Sequence, residues 1–294
     1  LGGLSRFTIK EPLFDHNNIF TFGTDYAFQS GPITQFDNFS GNKGISVQNE
    51  YNESLSNIGF YMLEHFTVID EKLDLFLSSR FDKNVFSRNN YIPYGFIDTS
   101  RTMQGFSPKV GLNFKLTPNI AVYSSYGLSF DYPALSEISN SPLSSNSSYT
   151  INPDLEPQKS NNFEIGVKGN LVDRDSEFFR KVFFEITYFN YLIKDEIVPF
   201  IINLKTYFKN APRTRRTGLE IGFMSEPFEE IELTINYTFT DFYYESYLTD
   251  IYTPGGTVKE DYSNNRVPSV PEHIVNFILV KELELTKELS GLLV

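Results

Sequence analysis

A strict alternation of apolar and polar residues constrains this chain more than any other feature. From Glu230 to Thr240 the odd positions Ile231, Leu233, Ile235, Tyr237 and Phe239 are apolar or aromatic, and the even positions Glu230, Glu232, Thr234, Asn236, Thr238 and Thr240 are polar. Successive side chains of a strand point to opposite faces, so this stretch makes a ribbon with one greasy and one wet side. Wound into a helix, the same residues would scatter around the circumference. The pattern returns in Val110, Leu112, Phe114 and Leu116 against Lys109, Gly111, Asn113 and Lys115, and in Phe163, Ile165 and Val167 against Glu164, Gly166 and Lys168. It also returns in Leu219, Ile221 and Phe223 against Gly218, Glu220 and Gly222. Leu73, Leu75 and Leu77 follow it as well, with Phe76 out of parity.

The spacing predicts about eleven strands and the start of a twelfth, at 4–10, 18–29, 51–68, 72–87, 105–116, 119–131, 158–170, 181–198, 205–225, 230–247, 271–284 and from 289 onward. Short turns near Asp70-Glu71-Lys72, Thr117-Pro118-Asn119, Ser225-Glu226-Pro227 and Thr286-Lys287-Glu288, and a longer one at 173–180, alternate with links at 30–50, 88–104, 132–157, 199–204 and 248–270. Short turns at one end and long loops at the other are the habit of outer-membrane barrels. Several strands exceed the ~9–11 residues that carry a tilted strand across a bilayer core, against about 5–6 in soluble sheets. The expected fold is an all-β antiparallel transmembrane barrel, greasy face to lipid and wet face to the lumen. A soluble antiparallel sheet with one face on a core is the competing reading of the alternation.

Composition narrows the function. Among 294 residues there is no Cys, which excludes disulfides, thiolate metal sites and thiol nucleophiles. A net charge of −12 argues against nucleic-acid binding. His16, His65 and His273 lie far apart, with no second ligand at metal spacing, and neither a Gly-x-Ser-x-Gly elbow nor a phosphate loop is present. Glu229, Glu230 and Glu232 sit at the foot of an alternating strand, where a solvated rim accounts for them. These observations point away from an enzyme, and no cofactor is expected.

Four segments resemble, in order, pieces of the TonB-dependent outer-membrane receptor family. They are Phe106-Ser-Pro-Lys-Val-Gly-Leu-Asn-Phe114 with Thr117-Pro-Asn-Ile-Ala-Val-Tyr-Ser-Ser-Tyr-Gly127, and Asn152-Pro-Asp-Leu-Glu-Pro-Gln-Lys-Ser160 with Asn162-Phe-Glu-Ile-Gly-Val-Lys-Gly169. The others are Asn210 with Arg216-Thr-Gly-Leu-Glu-Ile221, and Val267-Pro-Ser-Val-Pro-Glu-His-Ile-Val-Asn276. Gln158 stands where the family more often has Glu. The resemblance implies a 22-stranded barrel, of which residues 1–294 would be a partial wall of about 11–12 strands, with the plug domain and the closing strands lying outside it. It implies a monomeric receptor in the bacterial outer membrane, importing a scarce nutrient, foremost a ferric siderophore, with energy from the TonB complex acting through the plug. A passive porin-like channel is the alternative.

The candidate ligand-contacting residues are Tyr91, Tyr94, Arg101, Tyr132, Arg216, Tyr244 and Tyr247. The tyrosines are expected in the outer loops, where each offers a broad apolar face and a hydrogen-bonding tip. Arg101 is expected in the same loops. Arg216, the inward member of Arg213-Thr-Arg-Arg216, shares parity with Gly218 and Glu220. It could hold an anion, and a lumen ion pair with a neighbouring Glu or Asp is its simpler role. Arg213 and Arg215 have the opposite parity and are expected at headgroup level. Gly166, Gly218 and Gly222 on the wet face are expected to permit strand curvature or the approach of a plug.

Overall fold

The structure is a computed structural model describing residues 1–92, 98–139, 151–172, 181–202, 205–253, 256–286 and 289–293. The strands are β1 (Gly2–Ile9), β2 (Asn18–Phe39), β3 (Asn42–Ile69), β4 (Leu73–Ile92), β5 (Thr99–Thr117), β6 (Ile120–Asp131), β7 (Gln158–Val172), β8 (Lys181–Ile202), β9 (Lys205–Phe228), β10 (Ile231–Ser246), β11 (Leu248–Thr253), β12 (Gly256–Asp261), β13 (His273–Thr286) and β14 (Leu289–Leu293). One helical turn, α1 (Leu135–Ile138), precedes β7. Twelve strands form one antiparallel sheet in the order β1 through β10, then β13 and β14, and β11 pairs with β12 in a separate hairpin. Each strand lies beside its neighbour in sequence, the up-and-down order of a barrel wall.

The register puts the greasy parity on one surface. Leu233, Ile235, Tyr237 and Phe239 of β10 oppose Leu279, Phe277, Val275 and His273 of β13. On the other flank, Ile235, Tyr237 and Phe239 oppose Phe223, Ile221 and Leu219 of β9. No second sheet covers this row among the described residues, since every strand outside the β11–β12 hairpin belongs to the same layer. That excludes a sandwich. On the wet surface, Asn236, Thr238 and Thr240 oppose Gly222, Glu220 and Gly218. Phe76, out of parity in the sequence, lies on the wet surface stacked on His65, ring centroids 4.5 Å apart.

Three links expected to be loops are largely strand instead: 30–50, 199–204, and 88–104, where β4 runs to Ile92 and β5 starts at Thr99. Across 30–50, β2 and β3 continue as a paired ribbon to the turn at Ser40 and Gly41, whose φ values of 51° and 90° give the type I′ geometry that suits a twisted hairpin. The Asn38 side-chain oxygen accepts the Gly41 N–H at 2.8 Å. Residues 199–202 and 205 onward likewise extend the β8–β9 pair. Above a membrane both faces of a ribbon are wet, so Thr34, Gln35, Asn49 and Asn52 show no alternation and still pair. Asn49 donates to Gln35 at 2.7 Å and Asn52 to Ser30 at 2.9 Å. The 248–270 link also holds structure, the β11–β12 hairpin.

Two of the wet-face glycines lie beneath aromatic rings of the adjoining strands. A Cβ on Gly166 would lie 2.7 Å from the Tyr123 ring, and one on Gly218 2.4 Å from the Phe189 ring. Each glycine is the floor on which the aromatic ring of the adjoining strand lies, an arrangement known to pin register. At Gly222 the nearest atom, Asn236 Oδ1, would be 3.6 Å away, an ordinary van der Waals contact.

Candidate functional site

The end of the wall carrying the long connections holds a small core on its wet face. Phe86 of β4, Met103 of β5 and Ile138, Ile151 and Leu155 of the 132–157 segment are buried together, with Leu55, Tyr132, Leu135, Ile197 and Phe208 around them. The described parts of this segment thus fold back against the inner wall, driven by apolar burial. Polar clamps fix it there. Arg101 donates from Nη1 to the Asn152 carbonyl at 2.6 Å and from Nη2 to Glu156 Oε1 at 2.7 Å. Asn210 of β9 accepts the Glu156 N–H at 2.7 Å and donates to the Glu156 and Asp195 carbonyls at 2.8 and 2.6 Å. The Asn152 side chain accepts the Asp154 N–H at 3.0 Å, closing an Asx turn ahead of Leu155. Asn152-Pro-Asp-Leu-Glu-Pro and Asn210, two separate pieces of the resemblance, are therefore the two halves of one fastening.

A second clamp comes from Arg88, which is largely buried. Its guanidinium lies 3.5 Å from the centre of the Tyr51 ring, donates to the Ser139 carbonyl at 3.3 Å and stands 3.7 Å from Glu53. Ser139 donates its hydroxyl to the same Glu53 at 2.5 Å. Neither Arg88 nor Tyr51 was among the candidates. Both sit on a polar ribbon where alternation gives no warning.

The expected site residues separate into groups. Arg101 is on β5, not in a loop, and its fork is already occupied by the 132–157 segment. Tyr132 packs on the small core and donates to the Asp82 carbonyl at 3.3 Å. Tyr91 stands half exposed at the end of β4. Tyr94 lies outside the described residues. Tyr244 and Tyr247 come together, ring centroids 4.8 Å apart, and Tyr262 from the return of the β11–β12 hairpin joins Tyr247 at 5.7 Å. Lys209 reaches toward this group, its Nζ 5.7 Å from the Tyr247 ring and bonded to Thr249. Arg216 lies on the wet face below, opposite Tyr191 on one side and Phe242 on the other, its guanidinium 4.3 Å from the centre of the Phe242 ring. The expected carboxylate partner is not there. Among the described residues no carboxylate pairs with Arg216, because the register sets aromatic residues on both flanks, and its Nε is buried without a hydrogen-bond acceptor.

Lower on the wet face runs a network of acids and hydroxyls. Tyr123 donates to Glu185 at 2.7 Å and meets Thr187 at 2.6 Å, and Tyr191 donates to Glu164. Tyr123, Glu164, Glu185 and Thr187, with Glu220, Gly222, Asn236 and Thr238, line a polar recess of about 400 Å³. Arg80 binds both Asp25, at 2.7 and 2.9 Å, and Asp82, at 2.7 and 2.6 Å, further along the wall. The wall therefore offers water-facing charge and hydroxyls inward, hydrocarbon outward, and a tyrosine-rich rim.

A family model described as TonB dependent receptor-like, beta-barrel, matches residues 4–285. The chain belongs to this family. It is a β-barrel wall of the Gram-negative outer membrane. Solved structures share the fold. The siderophore receptor PiuA of Acinetobacter baumannii superposes with a TM-score of 0.70 at 18% identity, over 97% of this chain and 44% of its own. The ferric-catecholate import receptor Fiu of E. coli K12, in its closed form, gives 0.67 at 16% identity over 97% of this chain and 42% of its own. The ferric yersiniabactin uptake receptor FyuA of Yersinia pestis gives 0.64 at 14% identity over 99% and 40%. The chain spans less than half the length of these receptors, as a partial barrel does.

Proposed function

We propose that this wall belongs to a receptor that imports a ferric siderophore, with energy supplied by the TonB complex acting on a plug domain within the lumen. The family match over residues 4–285 carries the reading, and the names of the receptors sharing the fold support the ligand class. In this reading the cluster of Tyr244, Tyr247 and Tyr262 at the rim captures the chelate by ring contact and hydroxyl hydrogen bonds. Arg216, held over Phe242 with an unsatisfied Nε, meets its negative charge deeper in the mouth. The iron is cargo, and the full-length receptor works as a monomer, with residues 1–294 as part of its barrel domain.

The test is growth of a strain deleted for the gene on a panel of ferric chelates as sole iron source, complemented by the wild-type gene or by Tyr244→Ala/Tyr247→Ala. Loss of growth on at least one chelate, restored by wild type and not by the variant, supports the proposal. Deletion that leaves every iron source usable overturns it. Restored growth in a strain lacking TonB would favour a passive channel.

A further inference from the structure

One acid interrupts an apolar row on the outward face. The outward positions of β3 read Ile58, Phe60, Met62, Glu64 and Phe66. Glu64 lies directly opposite Phe20 of β2 on one side and Leu77 of β4 on the other. It is half-buried, and among the described residues no hydrogen bond or ion pair reaches its side chain. Between Glu64 and the turn at Asp70-Glu71-Lys72, β4 still presents Leu75 and Leu73 outward. Four residues of about 3.3 Å each, on a strand tilted about 45°, place Glu64 roughly 9 Å inside that end of the apolar band. This is comparable to the about 5–10 Å to which interfacial segments sink below the headgroups. Short turns lie on the periplasmic side of such barrels, so the leaflet concerned is the inner one. A carboxyl group at this depth is costly unless a cation or a donor comes to it.

The surface next to Glu64 is concave. Ser79 of β4 stands directly between Met62 of β3 and Pro108 of β5, and these small positions floor a groove of about 400 Å³. Sites that hold small molecules measure about 300–1,000 Å³. Met62 and Leu77 form one bank and Val110 and Leu128 the other, all more than a third exposed. Glu64 closes the end nearer the turns, while Pro108 and Leu128 lie toward the end with the long connections. The groove is therefore apolar along its length and acidic at its periplasmic end. The molecule that complements it has a hydrocarbon chain and a cationic head pointing to the periplasm, and an ammonium group with free N–H donors would make charge-assisted bonds to the carboxyl.

We propose that Glu64 and the groove floored by Ser79 and Pro108 form a binding site for an inner-leaflet phospholipid with a primary ammonium headgroup, its acyl chain lying across β3–β6. The inference rests on the placement of the wall in the outer membrane and not on the cargo the receptor imports. The full-length receptor is purified in detergent and titrated with phosphatidylethanolamine and with phosphatidylglycerol of identical acyl chains, retained lipid being read by native mass spectrometry. Wild type should retain the ethanolamine lipid in preference. Glu64→Gln should weaken its retention roughly tenfold and bring the two lipids level. Ser79→Leu, which fills the groove floor, should weaken retention of both lipids alike. Glu232→Gln, on the wet face of β10, should change neither. A heat-modifiable band on gels confirms that each variant is folded, and Ser79→Leu keeps the test alive should Glu64→Gln fail to assemble. Equal retention of the two lipids by wild type, or an undiminished preference in folded Glu64→Gln, would overturn the assignment. Retention of neither lipid by wild type would overturn it too, leaving the carboxyl to a protein partner.

Discussion

The substitution Arg101→Met removes the clamp on the 132–157 segment and keeps the apolar stem. Two contacts are lost. The bond to the Asn152 carbonyl joins a guanidinium only 17% exposed to a residue that is itself 3% exposed. A hydrogen bond from a charged donor in such a place contributes about 1.5–3 kcal/mol net. The contact to Glu156 reaches a carboxylate 60% exposed, and solvent screening holds its worth to about 0.2–1 kcal/mol. Together they contribute roughly 2–4 kcal/mol to keeping the segment docked, which is roughly 30- to 700-fold in the docking equilibrium. Amide hydrogen exchange on the full-length receptor reads this directly. The Asn152 N–H is bonded to the Ile138 carbonyl at 2.7 Å and the Glu156 N–H to Asn210, so both should exchange faster by that factor. The β6–β7 ladder around Ser125 and Ile165 should not change. Glu156→Gln should accelerate the same amides by no more than about fivefold. If Asn152 exchanges at the wild-type rate in Arg101→Met, or if the β6–β7 ladder loosens in parallel, the clamp reading is wrong.

Other outcomes follow from the same geometry. Gly218→Ala places a Cβ 2.1 Å from the Phe239 carbonyl oxygen and should cost about 1–3 kcal/mol, whereas Gly222→Ala makes only an ordinary van der Waals contact, 3.6 Å from Asn236 Oδ1; the pair is compared by the temperature at which the folded band is lost on heat-modifiability gels. Phe86→Ala empties the small core of a side chain 1% exposed and should weaken it by about 3–5 kcal/mol, read as faster proteolysis within 132–157 with the barrel band intact. In the 247–272 link, the Arg266 guanidinium holds the Glu272 carboxyl below its ordinary value of 4.5, and the Ser263 hydroxyl and amide do the same for Asp261 below 3.8. A depressed carboxyl stabilises the fold above its unfolded value and stops doing so as pH falls through its folded value. The Val267 amide, bonded to the Phe242 carbonyl at 2.9 Å, should therefore lose protection below about pH 4.5 after correction for intrinsic exchange, and keep it from pH 5 to 8.

The alternation could be read from the chain because one face of each strand meets hydrocarbon and the other water, and side chains are chosen accordingly. Where both faces meet water the signal vanishes, which hid the β2–β3 ribbon between residues 30 and 50 and put Arg101 in a loop rather than on β5. Contacts between distant segments were equally hidden. Asn210 and Glu156 are 54 residues apart and appeared only as separate pieces of a familiar order; their mutual hydrogen bonds need the fold. Arg216 was correctly placed on the wet face by parity. Its partner was not, because only the register shows that Phe242 and Tyr191, and no acid, stand opposite it. Tyr244 and Tyr247 were legible as rim aromatics, while Tyr262 joins them through a hairpin that no periodicity announced.

The alternation itself is open to a direct measurement. The chain contains no cysteine, so single spin-labelled cysteines can be placed at each position from 231 to 240 of the full-length receptor in lipid vesicles, on a background free of other cysteines. Accessibility to oxygen, which partitions into lipid, and to a water-soluble nickel chelate should alternate with a period of two. Positions 233, 235, 237 and 239 should favour oxygen, and 234, 236, 238 and 240 the chelate or neither. A profile without that alternation, or one in which 233 and 235 are shielded from oxygen, would contradict a wall with lipid on one side and a watery lumen on the other.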